Sequence, residues 1–92
     1  MTDTQAIAER IGQRLREALA PERLIVHDDS PRHAGHAGSR DGGYFRVEIV
    51  SARFAGLSRV GQHRLVYEAL AGMFGTEIHA LELRTLPPSP AT

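Results

Sequence analysis

Five histidines and no cysteine set the metal chemistry open to this 92-residue chain. His79 lies in Glu77-Ile78-His79-Ala80-Leu81-Glu82-Leu83, which reads as a strand. Strict alternation there puts it on the face of Leu81 and Leu83. An imidazole at the edge of an apolar face suits either a core hydrogen bond to a backbone carbonyl or a soft metal. His33 and His36 stand three apart in the flexible Ser30-Pro31-Arg32-His33-Ala34-Gly35-His36-Ala37-Gly38. Two solvated loop imidazoles are the ordinary outcome, and a weak two-ligand site for nickel, copper or zinc is an alternative. A histidine on a rigid strand and one on a loop could together make an incomplete metal site. Without cysteine, any thiolate would have to come from another molecule.

Other motifs carry less chemistry. His63 is expected on the inward stripe of a helix, half-buried beside Val60 and Val66/Tyr67. Arg53, Arg59 and Arg64 lie in or beside that helix and could meet phosphates, although solvated arginines are common there. Gly72-Met73-Phe74-Gly75 has the GxxG form of a phosphate-clamping loop but is expected to close a helix, where a C-cap glycine explains it. There is no cysteine nucleophile, Walker loop or dinucleotide-binding fingerprint, and no enzymatic activity is expected.

The elements that must hold these residues follow from periodicity. Ile7, Ile11, Leu15 and Leu19 recur every four residues and predict a helix from about Thr4 to Ala20, stopped by Pro21. Arg23 to His27 is a short apolar strand. Residues 28 to 43 hold four glycines and Pro31 and form a long loop; so long a loop in a small domain is often functional. Tyr44 to Ser51 alternates with Phe45, Val47 and Ile49 on one face. Ser58 can cap a second helix, from about Arg59 to Phe74, with Val60, His63, Val66/Tyr67, Leu70 and Met73/Phe74 as its buried stripe. Thr76 to Thr85 is the third strand. The α-β-β-α-β order implies an antiparallel first pair and, across the helical crossover, a parallel second pair. Both helices then cover one face of a three-stranded mixed sheet, an α/β (α+β) fold with the other face open.

Composition narrows the function classes. The length suits one domain, assigned to residues 1–86, with the Pro-rich 87–92 expected to be a disordered tail. No apolar run approaches the roughly 20 residues needed to span a bilayer, and no secretory leader is visible, so a cytoplasmic protein without membrane contact is expected. Zero net charge argues against a strongly basic nucleic-acid binder. Residues 32–64 nevertheless carry six arginines against Asp41 and Glu48, a local +4.

Three segments, Val26-His27-Asp28-Asp29-Ser30, Phe45-Arg46-Val47-Glu48-Ile49-Val50-Ser51 and Phe54-Ala55-Gly56-Leu57-Ser58-Arg59-Val60-Gly61-Gln62-His63-Arg64, are followed by Ile78-His79-Ala80-Leu81. In this order and spacing, over about Ile7 to Leu86, they resemble the BolA family. The resemblance implies a fold related to the type II KH domain. It also implies a non-enzymatic partner of monothiol glutaredoxins that shares a [2Fe–2S] cluster with the glutaredoxin and glutathione, binds none when isolated, and acts in iron–sulfur cluster trafficking or iron regulation. His79 matches the family's invariant histidine. His33 most closely matches its loop ligand, with His36 as the alternative. Some members are described as transcriptional regulators, which makes DNA an alternative partner through the helix-turn-helix-like segment 54–64, with Arg53, Arg59, His63 and Arg64 as contacts. Gln62 stands where the family usually has arginine, and Tyr44 where many members have another histidine.

Overall fold

In the computed structural model, which describes residues 4–30 and 43–88, the leucine and isoleucine spacing of the N-terminal segment produces α1, Thr4–Leu19. Its four-residue repeat buries Ile7, Ile11, Leu15 and Leu19 on one stripe. The helix stops where Ala20 adopts a left-handed backbone (φ 43°), donating its N–H to Arg16 O at 3.1 Å just ahead of Pro21. β1 (Arg23–Asp28) follows, then β2 (Gly43–Val50), a 3-10 turn (Ala52–Phe54), α2 (Arg59–Ala69) and β3 (Ile78–Leu86).

The sheet order is β1-β2-β3. β1 and β2 are antiparallel, with Val26 opposite Val47 and His27 opposite Arg46. β2 and β3 are parallel, with Phe45 opposite Leu81 and Val47 opposite Leu83. The pairing expected from the element order is therefore present. β2 alternates without a break, burying Gly43, Phe45, Val47 and Ile49 and leaving Tyr44, Arg46, Glu48 and Val50 half-exposed on the other face.

The core joins the α1 stripe to Phe45, Val47 and Ile49 of β2, Phe54 of the 3-10 turn, Val66, Leu70 and Met73 from α2 and the turn after it, and Ile78 at the head of β3. Removing these side chains from water is the main stabilising term, about 1.5–3 kcal/mol for each large one. Three buried polar residues join elements through that core. Ser51 Oγ donates to Leu19 O (2.7 Å) and accepts from Arg53 N (3.1 Å), closing the end of α1 and opening the 3-10 turn together. Thr85 Oγ1 donates to Gln62 Oε1 (2.7 Å), while Gln62 Nε2 donates to Leu57 O (3.1 Å). Gln62 thus ties α2 to β3 and to the preceding turn.

α2 differs from its expected form in length and in rotation. It ends at Ala69, with Leu70 as its C-cap. The chain then turns through Gly72 and Gly75, both at positive φ (90° and 85°). Met73 O accepts from Glu77 N and Ile78 N, each at 2.9 Å, which closes this turn on its own backbone. The GxxG run therefore follows the helix instead of capping it. The inward stripe holds Gln62, Val66, Leu70 and Met73, whereas Val60 is 68% exposed and Tyr67 45%. The hydrogen bonds of Gln62 rotate the helix so that Val60 and His63 leave the core face.

Candidate metal-ligand site and its surroundings

β3 begins with an irregularity that decides where His79 points. Pairing with β2 runs from Gly43–Ile78 directly to Tyr44–Ala80, so His79 is an extra residue without an opposite number. Such a bulge shifts the alternation by one. Ile78 is buried, His79 and Ala80 are both exposed, and Leu81 and Leu83 resume the core-facing side. The expected sharing of a face by His79, Leu81 and Leu83 is thus corrected: His79 lies on the open side of the sheet. Its ring packs against Tyr44 with centroids 5.0 Å apart and planes tilted by 60°. Among the described residues its ring nitrogens make no hydrogen bond, so the reading as a core histidine bonded to a carbonyl does not hold.

Several backbone and side-chain bonds fix the same end of the sheet. Asp29 N donates to Tyr44 O (2.8 Å) and Gly43 N to Glu77 O (3.0 Å). Tyr44 N donates to Ser30 Oγ at 3.0 Å. Asp28 accepts from Ser30 N (2.9 Å) and from Thr4 Oγ1 (2.6 Å), which attaches the start of α1 to the end of β1. Burial raises the Asp28 pKa, but the hydrogen bonds from Thr4 and Ser30 outweigh it and hold the carboxyl below its ordinary value. Gly43 is required by space: a Cβ there would lie 2.6 Å from Ser30 Oγ and 2.7 Å from the Phe45 ring. Ser30 is therefore held against Tyr44 of β2, whose ring touches His79, and Gly43 pairs with the head of β3. His33 and His36 themselves lie outside the described residues.

The rest of the open face is charged. His27 Nε2 meets Glu48 Oε2 at 3.2 Å, and Arg46 Nε lies 3.6 Å from Asp29 Oδ2. The His27 hydrogen bond, against a desolvation cost and aided by the charges of His27, Arg84 and Arg46, holds Glu48 below the usual carboxylate range. Cross-strand neighbours pair opposite signs, Arg46 with Glu82 and Glu48 with Arg84. Among the described residues no three or more His, Asp or Glu side chains gather to hold a metal ion.

On the opposite side, α2 and the 3-10 turn before it present the residues considered for nucleic acid. Arg53, Arg59 and Arg64 are exposed, and His63 is half-buried at the edge of an outward groove with Val60, Arg64, Tyr67, Glu68 and Ala71. His63 is not on the inward stripe where it was expected. Ser58 Oγ accepts from Gly61 N (3.2 Å) and caps α2 as anticipated. The Thr4–Asp28–Ser30 latch and the roles of Ser51 and Gln62 were not foreseen. The Asp28-Asp29-Ser30 turn signature was the only sequence hint of them.

A mixed three-stranded sheet with two helices on one face and an exposed histidine at a bulge can be compared with known proteins. The family model described as BolA, BolA-like protein, matches residues 15–89. The chain belongs to the BolA-like family. This BolA-like chain is 44% identical over 79 residues to BolA-like protein 1 of Homo sapiens, covering 86% of the chain and 56% of that relative. It is equally 44% identical over 79 residues to the DNA-binding transcriptional regulator BolA of Escherichia coli, covering 86% and 73%. It spans about half the length of the human relative and of Protein BOLA1, chloroplastic, of Arabidopsis thaliana, 56% and 54%. Among solved structures, BolA1 from Arabidopsis thaliana superposes with a TM-score of 0.77 at 39% identity, covering 90% of this chain and 95% of that one. The BolA domain of SufE1 from the same plant gives 0.79 at 37%, covering 90% and 93%. These relatives carry family, domain or regulator names. Among the described residues no helix is long and apolar enough to cross a membrane.

Proposed function

We propose that this BolA-like protein is a non-enzymatic adaptor that holds a [2Fe–2S] cluster jointly with a monothiol glutaredoxin and glutathione, as cargo in iron–sulfur cluster trafficking or iron regulation. The observation that carries the reading is the exposed imidazole of His79, turned out of the core by the bulge and free of hydrogen bonds among the described residues. A lone pair left uncommitted at a surface suits coordination by a second molecule. The donor set fits the same division: each iron needs two ligands besides the bridging sulfides, this chain has no cysteine, and its described residues gather no set of three. The partner and glutathione would supply thiolates, and this chain imidazoles.

His33 is the proposed second imidazole, with His36 as the alternative. His33 follows Ser30 by three residues, and Ser30 is bonded to Tyr44, whose ring touches His79. When bound, histidine in place of thiolate raises the potential of such a cluster and makes its ligation sensitive to protonation. The chain's own work is positional. The bulge exposes the imidazole, Tyr44 limits its rotation, and the Ser30 and Gly43 anchors hold both ends of the loop close by. Co-expression with a monothiol glutaredoxin, followed by visible spectroscopy of the purified pair, tests the reading. A coloured heterodimer that His79→Ala bleaches or spectrally alters is expected, and a spectrum indifferent to His79 contradicts it.

The name of the Escherichia coli relative favours a second reading, a DNA-binding regulator using Arg53, Arg59, His63 and Arg64. The three arginines are exposed and available to phosphates. Their small number implies weak binding that salt removes.

A further inference from the structure

α2 and the turns on either side of it carry an apolar patch that the domain leaves uncovered. Val60, Tyr67 and Phe74 are seven residues apart and exposed by 68%, 45% and 37%, and with Leu57 they make four of the five large exposed hydrophobics in the described residues. Tyr67 and Phe74 already touch, with ring centroids 5.2 Å apart. Val60 and Tyr67, two turns apart, share one exposed face of α2, and Phe74 extends that face from the turn after the helix, an apolar surface along which a second helix can pack. Two opposite charges, Arg64 and Glu68, line the same groove four residues apart. Neither is in an ion pair among the described residues.

That order of charges complements itself. When two such helices lie antiparallel about a two-fold axis near residue 66, position 64 of one faces position 68 of the other, and the reverse holds on the opposite side of the axis. A two-fold interface requires this reciprocity. We propose that α2 is a self-association surface on which a second copy of this chain docks antiparallel. Tyr67 packs near the axis, Val60 and Phe74 flank it, and each Arg64 meets the partner's Glu68. Zero net charge removes any overall repulsion between copies. Eleven helical residues give a contact about 16 Å long, so the interface is small and the dimer reversible. The surface lies across the domain from His79, and the inference does not depend on the cluster reading.

Sedimentation velocity on the whole chain over a wide concentration range tests this, at low and at high salt. The expected result is a monomer–dimer equilibrium that Tyr67→Ser abolishes. Arg64→Glu and Glu68→Arg should each weaken it about tenfold, because each places like charges together on both sides of the axis. Mixing the two single variants pairs every charge again and should restore a heterodimer, as should the double variant with itself. All three positions are exposed, so circular dichroism should show an unchanged fold. A strictly monomeric chain overturns the proposal, as does a dimer indifferent to Tyr67 or a mixture of the single variants that fails to re-associate. A monomer whose α2 variants lose only DNA or glutaredoxin binding assigns the face to that occupant and equally overturns it.

Discussion

Replacing Thr85 by valine removes one hydroxyl and almost no volume from the joint between α2 and β3. Thr85 is 9% exposed and Gln62 8%, so water cannot take over the bond that Thr85 Oγ1 donates at 2.7 Å. Gln62 Oε1 would be left buried and unpaired, a penalty of about 1–3 kcal/mol. For a domain of this size each kcal/mol lowers Tm by roughly 4–8 °C. A loss of about 2 kcal/mol therefore predicts a fall of roughly 8–16 °C by calorimetry, with the denaturant midpoint falling at unchanged slope. Gln62→Leu should cost more, because it also strands Leu57 O, which accepts from Gln62 Nε2 at 3.1 Å. The double variant removes both ends of the inter-element bond, so the cycle should show a coupling of about 1–2 kcal/mol between the two positions. Thr85→Val within a few tenths of a kcal/mol of the parent, or a vanishing coupling, would refute the claim that this bond sets the rotation of α2.

Other expectations follow from single sites. Gly43→Ala should destabilise the protein by about 1–3 kcal/mol in urea unfolding, because its Cβ would crowd Ser30 Oγ and the Phe45 ring. Ser51→Ala should cost about 1–3 kcal/mol, since Leu19 O and Arg53 N both lose their partner. Asp28 has a folded pKa below its ordinary value of 3.8, so its contribution is complete above the ordinary Asp range and is lost as pH falls through the folded pKa. Asp28→Asn should therefore flatten the acid limb of a stability–pH curve, and an unchanged limb would show that the latch carries none of it. DNA binding, where measurable, should give a log–log salt slope of about −3 to −4 from the local positive charge, read by fluorescence anisotropy.

Fold and site were legible to different depths. Four-residue apolar spacing in α1 and two-residue alternation in β2 are produced by burial of one face, so both elements and the mixed sheet could be read directly. α2 was ambiguous because apolar residues occupy two of its faces. Periodicity cannot say whether Val60 or Val66 points inward when a buried glutamine makes the choice. The face of His79 was unreadable for a different reason. Nothing in Glu77-Ile78-His79-Ala80 marks an extra residue, yet one bulge reverses the orientation of His79 and Ile78, ahead of Ala80. The identity of the histidine came from family resemblance, while its exposure is a property of the β2–β3 register.

The most direct test of the cluster reading is pulsed electron paramagnetic resonance of the reduced heterodimer, prepared with this chain labelled with ¹⁵N-histidine and the glutaredoxin unlabelled. The account predicts ¹⁵N couplings large enough for direct iron ligation, with one nitrogen lost or replaced in His79→Ala. A cluster that forms between the two proteins without any strongly coupled ¹⁵N, or with couplings that His79→Ala leaves untouched, would contradict it.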